Sequence, residues 1–160
     1  MQYFAQYRSP IGPLLLLSDG KNLTGLWMTR AHGEADQRDN LPIFRLTKAW
    51  LDDYFAGRNP PVSAIPLSPS GTPFQRQVWE ILLRIPLGET RTYGDIAREM
   101  AQQLGREKMS AQAVGGAVGR NPVSILIPCH RVVGANHQLT GYAGGLDKKL
   151  WLLRHEGWKY

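Results

Sequence analysis

"NPPVSAIPLSPSGTP", residues 59–73, carries five of the eleven prolines in the chain. Proline fixes φ and has no amide hydrogen to donate, so a run this dense builds neither a regular helix nor a central strand. We read it as a connector. It divides the 160 residues into an N-terminal domain, 1–70, and a C-terminal domain, 71–160, a length that allows two small domains with real cores.

Upstream of the connector, "YFAQYRS", "PLLLLSD" and "NLTGLWM" have the composition of strands, with "SDGKN" as a glycine-containing turn. "FRLTKAWLDDYFAG" then sets Trp50, Leu51, Tyr54 and Phe55 on one helical face before Gly57. A small antiparallel sheet plus one helix is expected, and nothing in it suggests chemistry. Downstream, Thr72 can cap a helix that opens with Pro73, and Phe74, Val78, Leu82 and Ile85 form its apolar stripe. Thr92 and Asp95 are spaced as a capping box for "TYGDIAREMAQQL". After the polar loop "LGREKM", Ser110 caps the short "SAQAVGGAVGRN". Two helices joined by a turn outline a helix-turn-helix. The expected fold is therefore an α/β N-terminal module followed by a mainly α C-terminal domain.

Charge follows the same division. The net charge is +6, and the C-terminal domain holds +5 of it, which points to a polyanionic partner there, nucleic acid first. A solvated basic surface is the plainer alternative. No apolar run approaches the roughly 20 residues that span a bilayer, so no membrane partner is expected. The opening residues lack the features of a secretory signal. A single cysteine cannot form an intrachain disulfide, and with scattered histidines it argues against a structural metal site. A cytoplasmic monomer without metal or cofactor is expected.

Two local features stand out. The helix after Ser110 is built from Ala111, Ala113, Gly115, Gly116 and Ala117, although each helical glycine costs about 1 kcal/mol relative to alanine. Close packing inside the protein or approach of a DNA backbone would each account for it. The last helix, "LDKKLWLLRHEG", should bury Leu146, Leu150 and Leu153. It ends in Glu156, a carboxylate where the helix dipole favours cations, so Glu156 needs a partner.

The lone thiol, Cys129, sits in "IPCHRVVG", directly before His130 and Arg131. Such a cysteine is either a small inert core residue or a nucleophile. The cations would lower its pKa and the apolar residues before it would raise it. Neighbours in an extended chain point apart, so Cys129 and His130 can communicate through a bridging water.

The blocks "NPVSILIPCHRVVG", "TGYAGG" and "WLLRHEG", with "FQRQVWE", "GETRTYGDIA" and "AVGGAVGRNP", resemble the O6-alkylguanine-DNA alkyltransferases, also called methylated-DNA–protein-cysteine methyltransferases. The resemblance covers 71–160 strongly and 1–70 loosely. It implies a single-turnover repair enzyme for double-stranded DNA carrying O-alkylated bases. The enzyme flips O6-alkylguanine, and O4-alkylthymine with it, out of the duplex and keeps the alkyl group on its own cysteine. Carried over residue by residue, it makes Cys129 the acceptor, His130 the base acting through a water, and Glu156 the group that orients His130. Asn121 would brace the active-site turn, and Tyr93 would meet the target phosphate and assist proton transfer to the leaving guanine. Tyr142, Ala143 and Gly144 would wall the base pocket, with Ser124 and Val132 lining it. Gln112, Ala113, Gly115, Gly116 and Arg131 would face the DNA.

The sequence departs from the pattern in three places. Gln112 stands where many members carry an arginine that fills the gap left by the flipped base. The stretch "AQQLGREKMS" is longer than in many relatives. The N-terminal domain lacks the cysteines that some members use for zinc. A thiol-based, non-enzymatic DNA-binding regulator shares the basic half and the helix pair, but leaves "GYAGG" and Glu156 unexplained. A cysteine hydrolase would turn over, whereas a thioether on Cys129 has no evident exit.

Overall fold

The structure, a computed structural model, describes residues 1–160. The chain forms two compact units, Met1–Ser70 with Pro122–Ser124, and Gly71–Asn121 with Ile125–Tyr160. No helix is long and apolar enough to cross a membrane.

In the first unit, β1 (Tyr3–Ser9) and β2 (Gly12–Ser18) form an antiparallel hairpin, and β3 (Leu23–Trp27) adds antiparallel to β2. Leu14 to Leu17 are all buried. Successive strand residues point to opposite faces, so β2 is covered on both sides. The short β4 (Asp36–Gln37) pairs parallel to β1, giving the order β3-β2-β1-β4. The sheet is thus mixed rather than purely antiparallel, because residues 28–35 carry the chain from β3 to the far edge beside β1 instead of turning back as a hairpin. The helix α1 (Pro42–Phe55) packs on the sheet through Phe44, Trp50, Leu51 and Tyr54.

The free edge of β3 is closed by two remote segments. The Leu23 amide donates to the Pro66 carbonyl (2.8 Å) and the Ser68 amide to the Leu23 carbonyl (2.9 Å). Further along, the Leu26 amide donates to Pro122 (2.9 Å) and the Ser124 amide to Leu26 (3.2 Å). An unpaired edge would invite another chain. Here the connector and residues 122–124 occupy it.

In the second unit, α2 (Pro73–Leu82), α3 (Tyr93–Leu104) and α4 (Ala111–Gly119) pack on one another, and α5 (Leu146–His155) is the last helix. The cap residues do what their spacing implies. Thr72 and Thr92 each form a full capping box, with Gln75 and Asp95 respectively, and Ser110 accepts from the Ala113 amide. Trp79 donates from its indole to the Ala117 carbonyl at 2.9 Å and ties α2 to α4. Gly71 is required by that packing, since a Cβ there would stand 2.4 Å from the Trp79 ring.

One stripe differs from expectation. In α5 the buried residues are Lys149, Leu152 and Leu153, while Leu146 is 48% exposed. The helix is rotated from the all-leucine register, which turns a lysine into the interior.

Candidate active site

Cys129–Arg131 form a single 3-10 turn after Pro128. The next residues, β6 (Val132–Val133), pair parallel with β5 (Arg91–Thr92). Because Thr92 is also the N-cap of α3, this two-residue ladder fixes the thiol-bearing turn against the start of α3 and Tyr93. From the other side, the Asn121 side chain donates to the Ile127 carbonyl at 2.8 Å. Ile125, between the two, is held at φ 73°, a strained conformation for a β-branched residue. Such strain persists only where surrounding contacts impose it.

His130 and Glu156 are both buried and lie 2.6 Å apart, Nε2 to Oε2. A carboxylate only accepts, so the imidazole proton belongs on Nε2. Nδ1 is then a lone-pair acceptor, buried and without a partner in the protein. Burial, the largest influence, holds His130 below its ordinary pKa against the pull of Glu156, and the cations of Arg131 and Lys149 add to the lowering. The ring is therefore a neutral base at neutral pH. For Glu156, burial alone would raise the pKa, but His130 and Arg131 outweigh it and hold the carboxyl well below the usual range.

Arg131 is corrected by the structure. The resemblance has it facing DNA, but it turns inward, donating from Nε to Glu156 Oε1 (2.7 Å), from Nη2 to Oε2 (3.2 Å) and from Nη1 to the Ile85 carbonyl (2.7 Å). A buried carboxylate demands a paired charge, and that demand decides where the guanidinium goes.

The Cys129 thiol is buried, which pushes its pKa up. Asn121, Lys149 and Tyr142 favour the thiolate and work against this. Tyr93 sits half-buried beside the site, its phenol held in the protonated form by burial. Burial therefore favours the thiol form of Cys129, and the next residue, His130, keeps a buried acceptor nitrogen without a partner.

Lys149 is the site residue that sequence reasoning misses. Its ammonium donates to the carbonyls of Thr140 (2.8 Å) and Gly141 (3.4 Å) and lies 5.9 Å from the Tyr93 ring centroid. It ties the loop carrying Tyr142, Ala143 and Gly144 to α5. Burial lowers its pKa to about 8. The only clue in the sequence is a lysine four residues before Leu153, on the face that leucines are expected to fill.

The remaining expected residues divide. Val132 is fully buried in β6, Tyr142 and Gly144 are half-buried, and Ala143 is exposed. Ser124 is buried in the first unit, its amide engaged on β3. On α4, Gln112, Ala113 and Gly116 are exposed and Gly115 is half-buried. A Cβ on Gly115 would meet the Tyr93 ring at 3.8 Å, an ordinary contact, and one on Gly116 would meet nothing within 4 Å. Internal packing therefore does not explain Gly116, and the small-residue surface of α4 is open to a partner.

Comparison with known proteins finds matches to both halves of the chain. Residues 73–158 match the family described as 6-O-methylguanine DNA methyltransferase, DNA binding domain. Residues 2–69 match that family's ribonuclease-like domain. The chain is 45% identical over 159 residues to the methylated-DNA–protein-cysteine methyltransferase of Methanosarcina acetivorans, covering 97% of this chain and 98% of the relative. It is 42% identical over 158 residues to the Haemophilus influenzae protein of the same name, covering 96% and 86%. Among solved structures, Mycobacterium tuberculosis OGT in complex with DNA superposes with a TM-score of 0.85 at 40% identity, covering 96% of this chain and 92% of that one. On matches that run through both halves of the sequence, this chain belongs to the 6-O-methylguanine DNA methyltransferase family.

Proposed function

We propose that this protein repairs O-alkylated bases in double-stranded DNA by moving the alkyl group irreversibly to Cys129, and that it works in the cytoplasm. The observation that carries the reading is the buried relay Glu156–His130, whose only unpartnered nitrogen is an acceptor, beside a single buried thiol. The alkylated oxygen of guanine lies inside the duplex, so the base must leave the stack to reach it. The exposed, small-residue face of α4 is where the duplex would rest while Gln112 meets the gap. His130 Nδ1 takes the thiol proton through a water. The thiolate attacks the alkyl carbon, the S–C bond forms and the C–O bond breaks, and the electron pair passes to the guanine. The Tyr93 phenol assists the return of a proton to the base. The thioether has no route back, so each molecule acts once.

The test is a mass measurement. Incubated with a duplex containing O6-methylguanine, each molecule should gain one methyl group at Cys129 and then stop. Release of free methyl product over many equivalents would falsify the reading, as would an unmodified Cys129.

The α4 surface makes a separate prediction. Gly116→Ala should raise thermal stability by about 0.5–1 kcal/mol, the usual helix penalty of glycine, because nothing blocks the added methyl. Gly116→Leu should also fold, yet weaken duplex binding about tenfold or more, equivalent to about 1.4 kcal/mol. Equal DNA affinity for the leucine variant and the wild type would mean that this face is not the one approached.

A further inference from the structure

Resting on the DNA-repair reading above, we propose that the segment joining α3 to α4 is a second DNA contact, which holds the sugar-phosphate backbone of the duplex to one side of the damaged base. A groove of about 470 Å³ lies between the outer face of α3 and residues 105–111. Its floor is small and apolar, Ala97 and Ala101, and cations stand around it, Arg98, Arg106 and Lys108. Arg98 is paired with Asp95. Arg106 and Lys108 are exposed, and neither is in an ion pair. Glu107 is the one carboxylate in the lining.

The segment is a built turn. Gly105 ends α3 in the left-handed region at φ 65°, and the Arg106 amide donates back to the Ala101 carbonyl at 2.8 Å. That closure seats the Arg106 backbone over the end of α3 instead of leaving it loose in solvent.

Position selects the occupant. The groove reaches Gly94 at one end, next to Tyr93, and Ala111 at the other, next to Gln112. It therefore adjoins the N-terminal ends of both helices of the helix-turn-helix. A duplex lying on the exposed face of α4 has its backbone within reach of these cations. Deoxyribose offers an apolar face for the alanine floor, and each phosphate offers a charge to Arg106 or Lys108. Contacts of this kind position a protein without reading sequence, which is what repair at any sequence context requires.

The experiment is a salt titration of binding to a long duplex with a central O6-methylguanine, for the wild type and the double variant Arg106→Gln/Lys108→Gln. Both substitutions are on exposed side chains, so the two proteins should fold alike, with matching thermal melts. The slope of log affinity against log salt should fall by up to about 0.9 for each phosphate that is no longer neutralised. Trimming the duplex on one side of the lesion should remove the same increment from the wild type and abolish the difference between the proteins. Trimming the other side should leave it. Equal slopes on the long duplex would overturn the proposal, as would a difference that survives trimming on both sides, because that reports overall charge alone. If slopes are equal while both proteins methylate Cys129, the groove assignment fails and the repair reading stands. Failure of the wild type to take up methyl would sink the repair reading itself.

Discussion

Glu156→Gln slows single-turnover alkyl transfer by about 10²–10⁴, the usual span of general-base assistance, and lowers stability as well. The carboxylate accepts three hydrogen bonds, one from His130 and two from Arg131. A glutamine has one acceptor oxygen, and its amide presents hydrogens to donors. The imidazole loses its fixed tautomer, and the Arg131 guanidinium is left buried beside a neutral group. Removing one partner of a buried pair costs about 3–5 kcal/mol.

The two effects can be separated. Arg131→Met should share the loss of stability while keeping the His130–Glu156 contact, and so transfer at nearly the wild-type rate. The pH dependence gives a second check. The Glu156 pKa is lowered in the folded protein from an ordinary value of 4.5. On acidification the unfolded chain binds the proton first, so the stabilisation is complete above about 4.5 and is lost as pH falls toward the folded value. The stability gap between wild type and Glu156→Gln, measured by denaturant unfolding, should therefore be full at neutral pH and shrink below about 4.5. If the Glu156→Gln protein transfers at the wild-type rate, the carboxylate is a packing element only.

Lys149→Met slows transfer by about tenfold or more without loss of stability at neutral pH. The ammonium favours the Cys129 thiolate against the burial that raises the thiol pKa. Each unit of pKa lost is a factor of ten in thiolate. Methionine has similar length and keeps the apolar contacts, while the Thr140 and Gly141 carbonyls, on exposed residues, can turn to water. The sign of the stability effect follows from the lowered pKa, about 8 against an ordinary 10.5. Between these values the unfolded chain holds the proton and the folded chain sheds it, so the wild type gains stability as pH rises through that window. Methionine has no such slope. Unfolding curves at pH 7 and in the alkaline window, with single-turnover rates, test both halves. DNA affinity should not change, because Lys149 is buried. A variant with the wild-type rate would show that the lysine only tethers the loop.

The sequence by itself determined whatever depends on residues within a turn of each other. The proline-dense connector forbids helix and central strand whatever surrounds it. Thr72, Thr92 with Asp95, and Ser110 start their helices because a cap satisfies amides two or three residues away. The strand-forming stretches of the first unit were legible for the same reason. The pairing of His130 with Glu156 was implied by the family resemblance, and the unfavourable end of α5 already implied that Glu156 had a partner.

The tertiary structure decided the rest. The parallel pairings β1–β4 and β5–β6, and the return of residues 122–124 to the edge of β3, join segments that share no local signal. Arg131 reads as a surface cation beside a thiol, and only the position of Glu156, 25 residues on, pulls it inside. Leu146 and Lys149 look interchangeable with the usual pattern of an amphipathic helix, apolar inside and charged outside. The Thr140 and Gly141 carbonyls reverse that pattern, since a buried cation is tolerable only where acceptors meet it.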